Sequence, residues 1–493
     1  VNTIKIHKLI AASAIVFNFS ILFSQTTTES NKREVESSSL RQDDSIVGHW
    51  LGSLSVGPMT ARLALDTKKN SEGKLEANLV NLDLNTKAID IESTTFIDGE
   101  LDLKLPSIRA RYKGSISLDG NEISGTFSQR SQKIPLKFSR VERSMALSTR
   151  PQDPTEPFPY ESQEVTFRNE ADQIDLAGTL TIPHGDGPFA AALLVSGSGP
   201  QDRDGFVMGH RPFLVIADHL ARHGIASLRF DDRGFGKSEG NHLASKISNF
   251  SEDAEAGITF LSKQPKIKPA SVGIIGHSEG ALIGSMVAAQ QLEELDFLIL
   301  LTPAGEPFFD AQIRQSREGM KLMGASDELI DRFMSKFDNH FERIMDSSIS
   351  GKEIRQAIKE ELSQFLPAFT EEELKLLGFD LNLYMPQIRG MSTPWYRSVI
   401  KETPSQYVEK IKIPTLAIFG ELDRQADSTI NSQYVKEALR RSGNQDYHTK
   451  TYPELNHLLQ HAKTGAIAEY GKIEETFAPE VLQDICAWVS ERF

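Results

Sequence analysis

The sequence predicts an α/β protein: a doubly wound, mostly parallel sheet with a helical cap insertion, preceded by a small all-β barrel or sandwich. Three observations carry this prediction. From about residue 161 to the end, short apolar runs alternate with helical stretches, the pattern of a mostly parallel sheet. Before that, residues 46–142 hold short alternating runs separated by turn residues. At the centre, Ala270-Ser271-Val272-Gly273-Ile274-Ile275 has strand character, runs into Gly276-His277-Ser278-Glu279-Gly280, and continues into a helical stretch over 281–289.

At 493 residues the chain is long enough for two domains. Charged residues make up 25% and hydrophobic ones 39%, a globular balance. The net charge of −14, with no basic stretch to neutralise phosphates, argues against nucleic acid as a partner. Lys5 and Lys8 precede an uncharged, mostly apolar stretch over 9–23, and Ser24 stands before Gln25. Residues 1–25 are therefore expected to be a cleaved signal peptide, since the apolar stretch is shorter than the ~20 residues of a membrane span. The expected address is periplasmic or secreted, with no membrane span left after cleavage. Cys486 is the only cysteine, so no intrachain disulfide can form.

Residues 26–45 are polar, with little to bury, and read as a flexible tether. In the β region the expected strands are 47–55, 60–66, 74–82, 89–96, 100–105, 108–117, 122–128 and 134–141. Asp98-Gly99 and Asp119-Gly120 suggest tight hairpins. Trp50 reads as core. Residues 143–160 contain Pro151, Pro154, Pro157 and Pro159 and read as an extended linker. From residue 161 the expected strands are 165–168, 174–182, 190–195, 226–230, 270–275, 297–301, 415–419 and 448–452, with helices over 212–223, 250–262, 281–289 and 479–492. The alternation stops at Ala304. Residues 306–407 look helical, with breaks at Gly351, Pro367, Gly378 and Pro386. An insertion there falls over the C-terminal edge of the sheet, where ligands bind, and is read as a cap.

G-x-S-x-G between a strand and a helix is a nucleophile elbow: the tight turn exposes the serine hydroxyl beside the first N–H groups of a helix. Serine is a poor nucleophile until a base takes its proton, and the base needs an orienting carboxylate. Asp423, in Gly420-Glu421-Leu422-Asp423, follows an expected strand, and His457, in Asn456-His457, follows another. Both fall on loops at the sheet edge that holds Ser278. Glu421 and Asp427 compete for the acid position, and His448 and His461 for the base. An oxyanion needs two donors. The Glu279 backbone N–H is one. Ser198, in Ser196-Gly197-Ser198-Gly199-Pro200, supplies the other, with Gly199 as the alternative. The pocket around Ser278 is assigned to Gly199, His277, Trp395 and Tyr396, the aromatic pair coming from the end of the cap.

Residues 161–493 resemble the α/β-hydrolases, in the bacterial carboxylesterase-like branch with a serine aminopeptidase-like core and an added N-terminal β domain. The resemblance rests on residues 196–205, on Asp231-Asp232-Arg233-Gly234-Phe235-Gly236-Lys237-Ser238, on Gly276-His277-Ser278-Glu279-Gly280, on Gly420-Glu421-Leu422-Asp423 and on Asn456-His457. Ala281 stands where this branch usually has a glycine, which bears on helix packing more than on chemistry. The expected function is hydrolysis of small-molecule carboxylic esters through an acyl-enzyme, with Ser278, His457 and Asp423 as triad and no cofactor. The alternatives are a peptidase or amidase, a thioesterase, or a catalytically dead binding protein. Gly197-Ser198-Gly199 and Gly234-Phe235-Gly236 lack dinucleotide-binding spacing. The pairs His219/His223 and His457/His461 lack a metalloprotease glutamate, the first pair reads as surface, and no metal site is expected. Asp202-Arg203-Asp204 is expected to brace the oxyanion loop by ion pairs, with Arg233 a candidate partner.

Overall fold

The computed structural model describes residues 45–56, 59–70, 72–81, 88–89, 91–129, 132–141, 150–336 and 338–493. The expected signal peptide, all but the last residue of the tether and the first seven residues of the linker lie outside these residues. The chain forms two compact units, one centred on the early β region and one on the rest.

In the first unit the strands are β1 (Gly48–Val56), β2 (Met59–Lys69), β3 (Leu75–Asn81), β4 (Ala88–Ile89), β5 (Ser93–Ile97), β6 (Glu100–Leu105), β7 (Ala110–Ile116), β8 (Glu122–Gln129) and β9 (Gln132–Val141). They form one antiparallel sheet in the order β4-β3-β2-β1-β9-β8-β7-β6-β5. Only four residue steps separate Ile89 from Ser93, a reach of ~14 Å. A flat sheet of this order would hold β4 and β5 ~38 Å apart. The sheet therefore curls until it nearly closes. Leu101, Leu103 and Leu105 alternate into the interior. Trp50 is core as expected, 1% exposed, donating from Nε1 to Ile46 O at 3.1 Å and Thr67 Oγ1 at 3.2 Å. Asp98-Gly99 turns with both φ values positive, 50° and 79°, the geometry a two-residue hairpin requires. Two expectations shift. The single run over 89–96 is split between β4 and β5. The run over 108–117 begins late, because Pro106 opens a 3₁₀ turn and Arg109 closes it at φ 51° before β7 starts.

The second unit carries β10 (Tyr160–Asn169), β11 (Ile174–Pro183), β12 (Phe189–Val195), β13 (Ile225–Phe230), β14 (Ile267–His277), β15 (Phe297–Leu301), β16 (Thr415–Gly420) and β17 (Tyr447–Tyr452). Their order is β10-β11-β13-β12-β14-β15-β16-β17. β10, β11 and β13 pair antiparallel, and every later pair is parallel. Tyr160 therefore opens a strand and does not end the linker. β13, β15 and β16 are buried along their whole length, as their continuous apolar runs require. Helices Pro212–Arg222 and Pro479–Ser490 cover one face, and Ile247–Ser262, Glu279–Ala289 and Ser428–Ser442 cover the other. Among the described residues, eight α-helices, from Phe308–Met323 to Pro404–Val408, form the insertion between β15 and β16. Ser350/Glu353 and Thr370/Glu373 are reciprocal capping boxes that start two of them. Pro386 does not break the chain there, because helix Leu381–Met391 runs through it. Among the described residues no helix is long and apolar enough to cross a membrane.

Candidate active site

β14 lies between β12 and β15, and Ser278 is the single residue between β14 and helix Glu279–Ala289. Its φ of 56° and ψ of −114° are strained for an L-residue, at a cost of about 1–3 kcal/mol. The flanking glycines make this turn possible. A Cβ on Gly276 would lie 2.2 Å from Gly280 O, and one on Gly280 would lie 2.1 Å from Val195 O. The second contact, with Ser196 O at 2.5 Å beside it, shows how closely the end of β12 and the start of the loop after it approach the elbow.

Two further loops converge on the same edge. After β16, Asp423 Oδ1 accepts from the backbone N–H groups of Gln425 at 2.8 Å and Ala426 at 2.9 Å, which holds its side chain. After β17, Asn456 Oδ1 accepts from Leu458 N at 2.9 Å and Gln460 N at 3.0 Å, folding the loop that carries His457. Gly420 lets the two loops meet, since a Cβ there would stand 2.4 Å from Leu455 O. The result is a line of three side chains. His457 Nδ1 is 2.7 Å from Asp423 Oδ2, and His457 Nε2 is 3.0 Å from Ser278 Oγ. A carboxylate only accepts, so Nδ1 carries the proton and Nε2 presents a lone pair to the serine hydroxyl. Asp423 and His457 are 4% and 5% exposed, which keeps water from competing for these bonds.

The competitors are engaged elsewhere. Glu421 accepts from Glu454 N, and Asp427 caps helix Ser428–Ser442. His448 is exposed beside Asp446, and His461 is paired with Glu475 and Glu480.

His277 donates from Nε2 to His457 O at 2.9 Å, and Thr302 Oγ1 donates to the same carbonyl at 3.2 Å. Burial and the neighbouring His457 hold the His277 pKa down to about 4, so it stays neutral. It fixes the backbone of His457. Glu279 is the first residue of its helix, where the backbone N–H has no partner one turn back. Gly199 is buried with φ 85°, and Ser198 is partly buried. The Ser198 hydroxyl donates to Glu279 Oε2 at 3.2 Å. Trp395, 7% exposed, donates from Nε1 to Glu279 Oε1 at 3.1 Å. Tyr396 is 1% exposed, with its hydroxyl bonded to Gln312 Oε1 inside the cap.

The carboxyl of Glu279 is the feature that sequence reasoning missed. It is 3% exposed, and burial pushes its pKa up to about 7, against the lowering effect of the Trp395 and Ser198 bonds. Asp232 was also missed. It accepts from Ser196 Oγ at 2.7 Å and Gln201 N at 2.8 Å, tying down both ends of the 196–200 loop. Burial raises its pKa well above the usual carboxylate range, and Glu279 adds to this. The only available signal was the acidic residue type within each motif.

The expected brace takes a different form. Arg203 pairs with Asp231 at 2.9 Å and Asp204 with Arg229, whereas Asp202 accepts from the backbone of Asp204 and Phe206. Arg233 is not part of it. Arg233 pairs with Asp253 and Asp172 at 2.7 and 2.6 Å. Among the described residues, the one group of three or more His, Cys, Asp or Glu side chains within metal-ligand reach lies apart from Ser278, at His219, His223 and Cys486.

The serine aminopeptidase (S33) hydrolase family matches residues 205–354. Esterase EstD of Thermotoga maritima is 24% identical over 307 residues, 62% of this chain and 62% of that protein. The match thus spans less than two thirds of that esterase's length. Among solved structures, the esterase Pf2001 of Pyrococcus furiosus is 16% identical over 67% of this chain and 91% of its own, with a TM-score of 0.37. A hypothetical protein, PA2218, of Pseudomonas aeruginosa is 17% identical over 70% and 98%, with a TM-score of 0.42. With its strand–elbow–helix at Ser278 in a mostly parallel sheet, the chain has the α/β-hydrolase fold, preceded by an N-terminal β domain, and residues 205–354 are similar to the serine aminopeptidase-like hydrolases.

Proposed function

We propose that this hydrolase cleaves small carboxylic esters through an acyl-enzyme on Ser278. The observation that carries the reading is the unbroken line Asp423–His457–Ser278, at 2.7 and 3.0 Å. Ser278 Oγ attacks the acyl carbonyl while its proton passes to His457 Nε2. The negative charge that develops on the carbonyl oxygen is met by the backbone N–H of Glu279 and that of Ser198. His457 then returns the proton to the leaving alcohol, activates water, and regenerates the serine. Asp423 keeps Nδ1 protonated and stabilises the imidazolium at each step. None of these steps draws on a cofactor.

Preference for esters over amides rests on the cap. Trp395 and Tyr396 are buried, uncharged and aromatic, which favours an apolar acyl or alcohol group over a charged peptide terminus. Two measurements test the reading. A fluorophosphonate probe should label the wild type and leave Ser278→Ala unlabelled, with turnover of p-nitrophenyl butyrate lost in the variant and its thermal transition retained. Labelling of a folded Ser278→Ala protein refutes the nucleophile. Alanyl or prolyl p-nitroanilide hydrolysed with a kcat/KM equal to that of the ester would make the protein a peptidase.

A further inference from the structure

Helices Pro212–Arg222 and Pro479–Ser490 share one apolar cluster on one face of the sheet. His219 and His223 stand one turn apart on the first of these and its C-cap, with ring centroids 4.3 Å apart. Cys486, from the second helix, is buried, with Sγ 4.0 Å from His219 O. One ligand atom from each of the three lies within 4.8 Å of the other two. For any three such points there is a position no more than about 2.8 Å from all of them. Metal–nitrogen and metal–sulfur bonds to zinc are ~2.0 and ~2.3 Å, so closing on an ion there needs inward shifts below an ångström.

Two details are independent of that proximity. His223 Nδ1 is 2.8 Å from His219 O. A carbonyl only accepts, so Nδ1 carries the proton and Nε2 is left with its lone pair. A backbone carbonyl fixing the tautomer in this way is the usual support of a metal-bound histidine. The second detail is His219 Nε2, which is buried and has no hydrogen-bond partner. Leaving a buried polar nitrogen unpaired carries a desolvation penalty that a bound cation removes.

We propose that His219, His223 and Cys486 form a binding site for a borderline-soft divalent cation of the zinc type, which joins the last helix to helix Pro212–Arg222. Two imidazoles and a thiolate suit zinc or cobalt and disfavour magnesium or calcium, which take oxygen ligands. As the metal–sulfur bond forms, the Cys486 thiol releases its proton to solvent. A water completes four-fold coordination. The site is separate from Ser278, so the proposal stands independently of the esterase reading.

The test uses the untagged full chain, reduced and stripped with a chelator, then titrated with cobalt(II) and with zinc(II). Because Cys486 is the only cysteine, a thiolate-to-cobalt band in the near ultraviolet reports this position alone. The expected result is saturation at one equivalent with that band, displacement by zinc and not by magnesium, slower reaction of Cys486 with a thiol reagent, and a higher melting temperature. Cys486→Ser should lose the band, and His223→Ala, an exposed substitution that leaves the fold intact, should weaken binding more than about tenfold. No saturable binding, no thiolate band, or binding unchanged in His223→Ala means an adventitious ion only and overturns the proposal.

Discussion

Replacing Glu279 by Gln isolates the cost of a buried carboxylate beside Ser278. Burial raises the Glu279 pKa from its ordinary 4.5 to about 7, so the folded protein holds this proton more tightly than the unfolded chain does. Between those two pH values the folded state binds the additional proton. Stability from this group is therefore complete below about pH 4.5 and is lost as pH rises through 7. At 1.36 kcal/mol per pH unit the loss amounts to about 3 kcal/mol above pH 7. That exceeds the roughly 1 kcal/mol net worth of a neutral hydrogen bond. Glutamine keeps the acceptor for Trp395 Nε1, can donate to the Ser198 hydroxyl, and cannot ionise. The assay is thermal unfolding of both proteins from about pH 5 to about pH 9, read as the difference between them so that all other titrations cancel. The wild type should lose several degrees relative to Glu279→Gln across this range, mostly between pH 5 and 7. Hydrolysis should also fall on the alkaline side in the wild type and persist in the variant, because an ionised Glu279 repels the oxyanion forming near its own backbone N–H. Parallel stability curves for the two proteins would refute the reasoning.

Three other substitutions follow from the geometry. Asp423→Asn should lower kcat by about 10³–10⁴-fold with little change in melting temperature, because an amide can donate to His457 Nδ1 and favour the wrong tautomer; stopped-flow rates on an activated ester check it. Gly280→Ala should destabilise far more than Gly284→Ala, since its Cβ meets backbone at 2.1 Å, whereas at Gly284 the nearest atoms are side-chain carbons at 3.0 Å; equal unfolding midpoints would contradict the elbow packing. Trp395→Phe should move the Glu279-linked loss of stability to higher pH, because it removes one of the two donors that favour ionised Glu279, and the same pH series reads the shift.

The sheet was legible because its signals are local. Continuous apolar runs such as Phe297-Leu298-Ile299-Leu300-Leu301 can be satisfied only by a strand buried on both faces. The loops that carry Ser278, Asp423 and His457 were legible for a related reason: each follows a strand of the sheet, the half-exposed edge strand β17 in the case of His457, and parallel strands deliver their C-terminal loops to one edge. What the sequence did not reveal depends on partners distant along the chain. Arg233 takes its partners from Asp253 and Asp172, and the acids that meet Arg203 are Asp231 and Glu164. Nothing in the spacing ranks these acids against one another, because all lie within reach of a folded loop. The pair His219/His223 reads as surface from helical spacing alone, and Cys486 joins it only across 267 residues of chain. Pro386 misled in the other direction, since a helix can run through a proline where neighbouring packing offsets the lost bond.

Glu279 shows why the elbow and the cap belong to one argument. Its backbone N–H is fixed by the strained turn at Ser278, while its side chain is fixed by Ser198 from the loop after β12 and Trp395 from the cap. Ser198 is the residue assigned the second oxyanion donor. A displacement of the cap helix Pro394–Val399 that breaks the Trp395 bond would leave the Glu279 carboxyl with one donor, and the Ser198 hydroxyl is that donor. The position of the cap and the geometry of the 196–200 loop are thus coupled through a single buried carboxyl. Such coupling is strongest when that carboxyl is ionised, because both donated bonds favour the charged form, which is the state above pH 7. Substitutions in the cap can therefore affect the rate of the chemical step as well as substrate binding, and a cap variant should be judged by kcat and KM together rather than by KM alone.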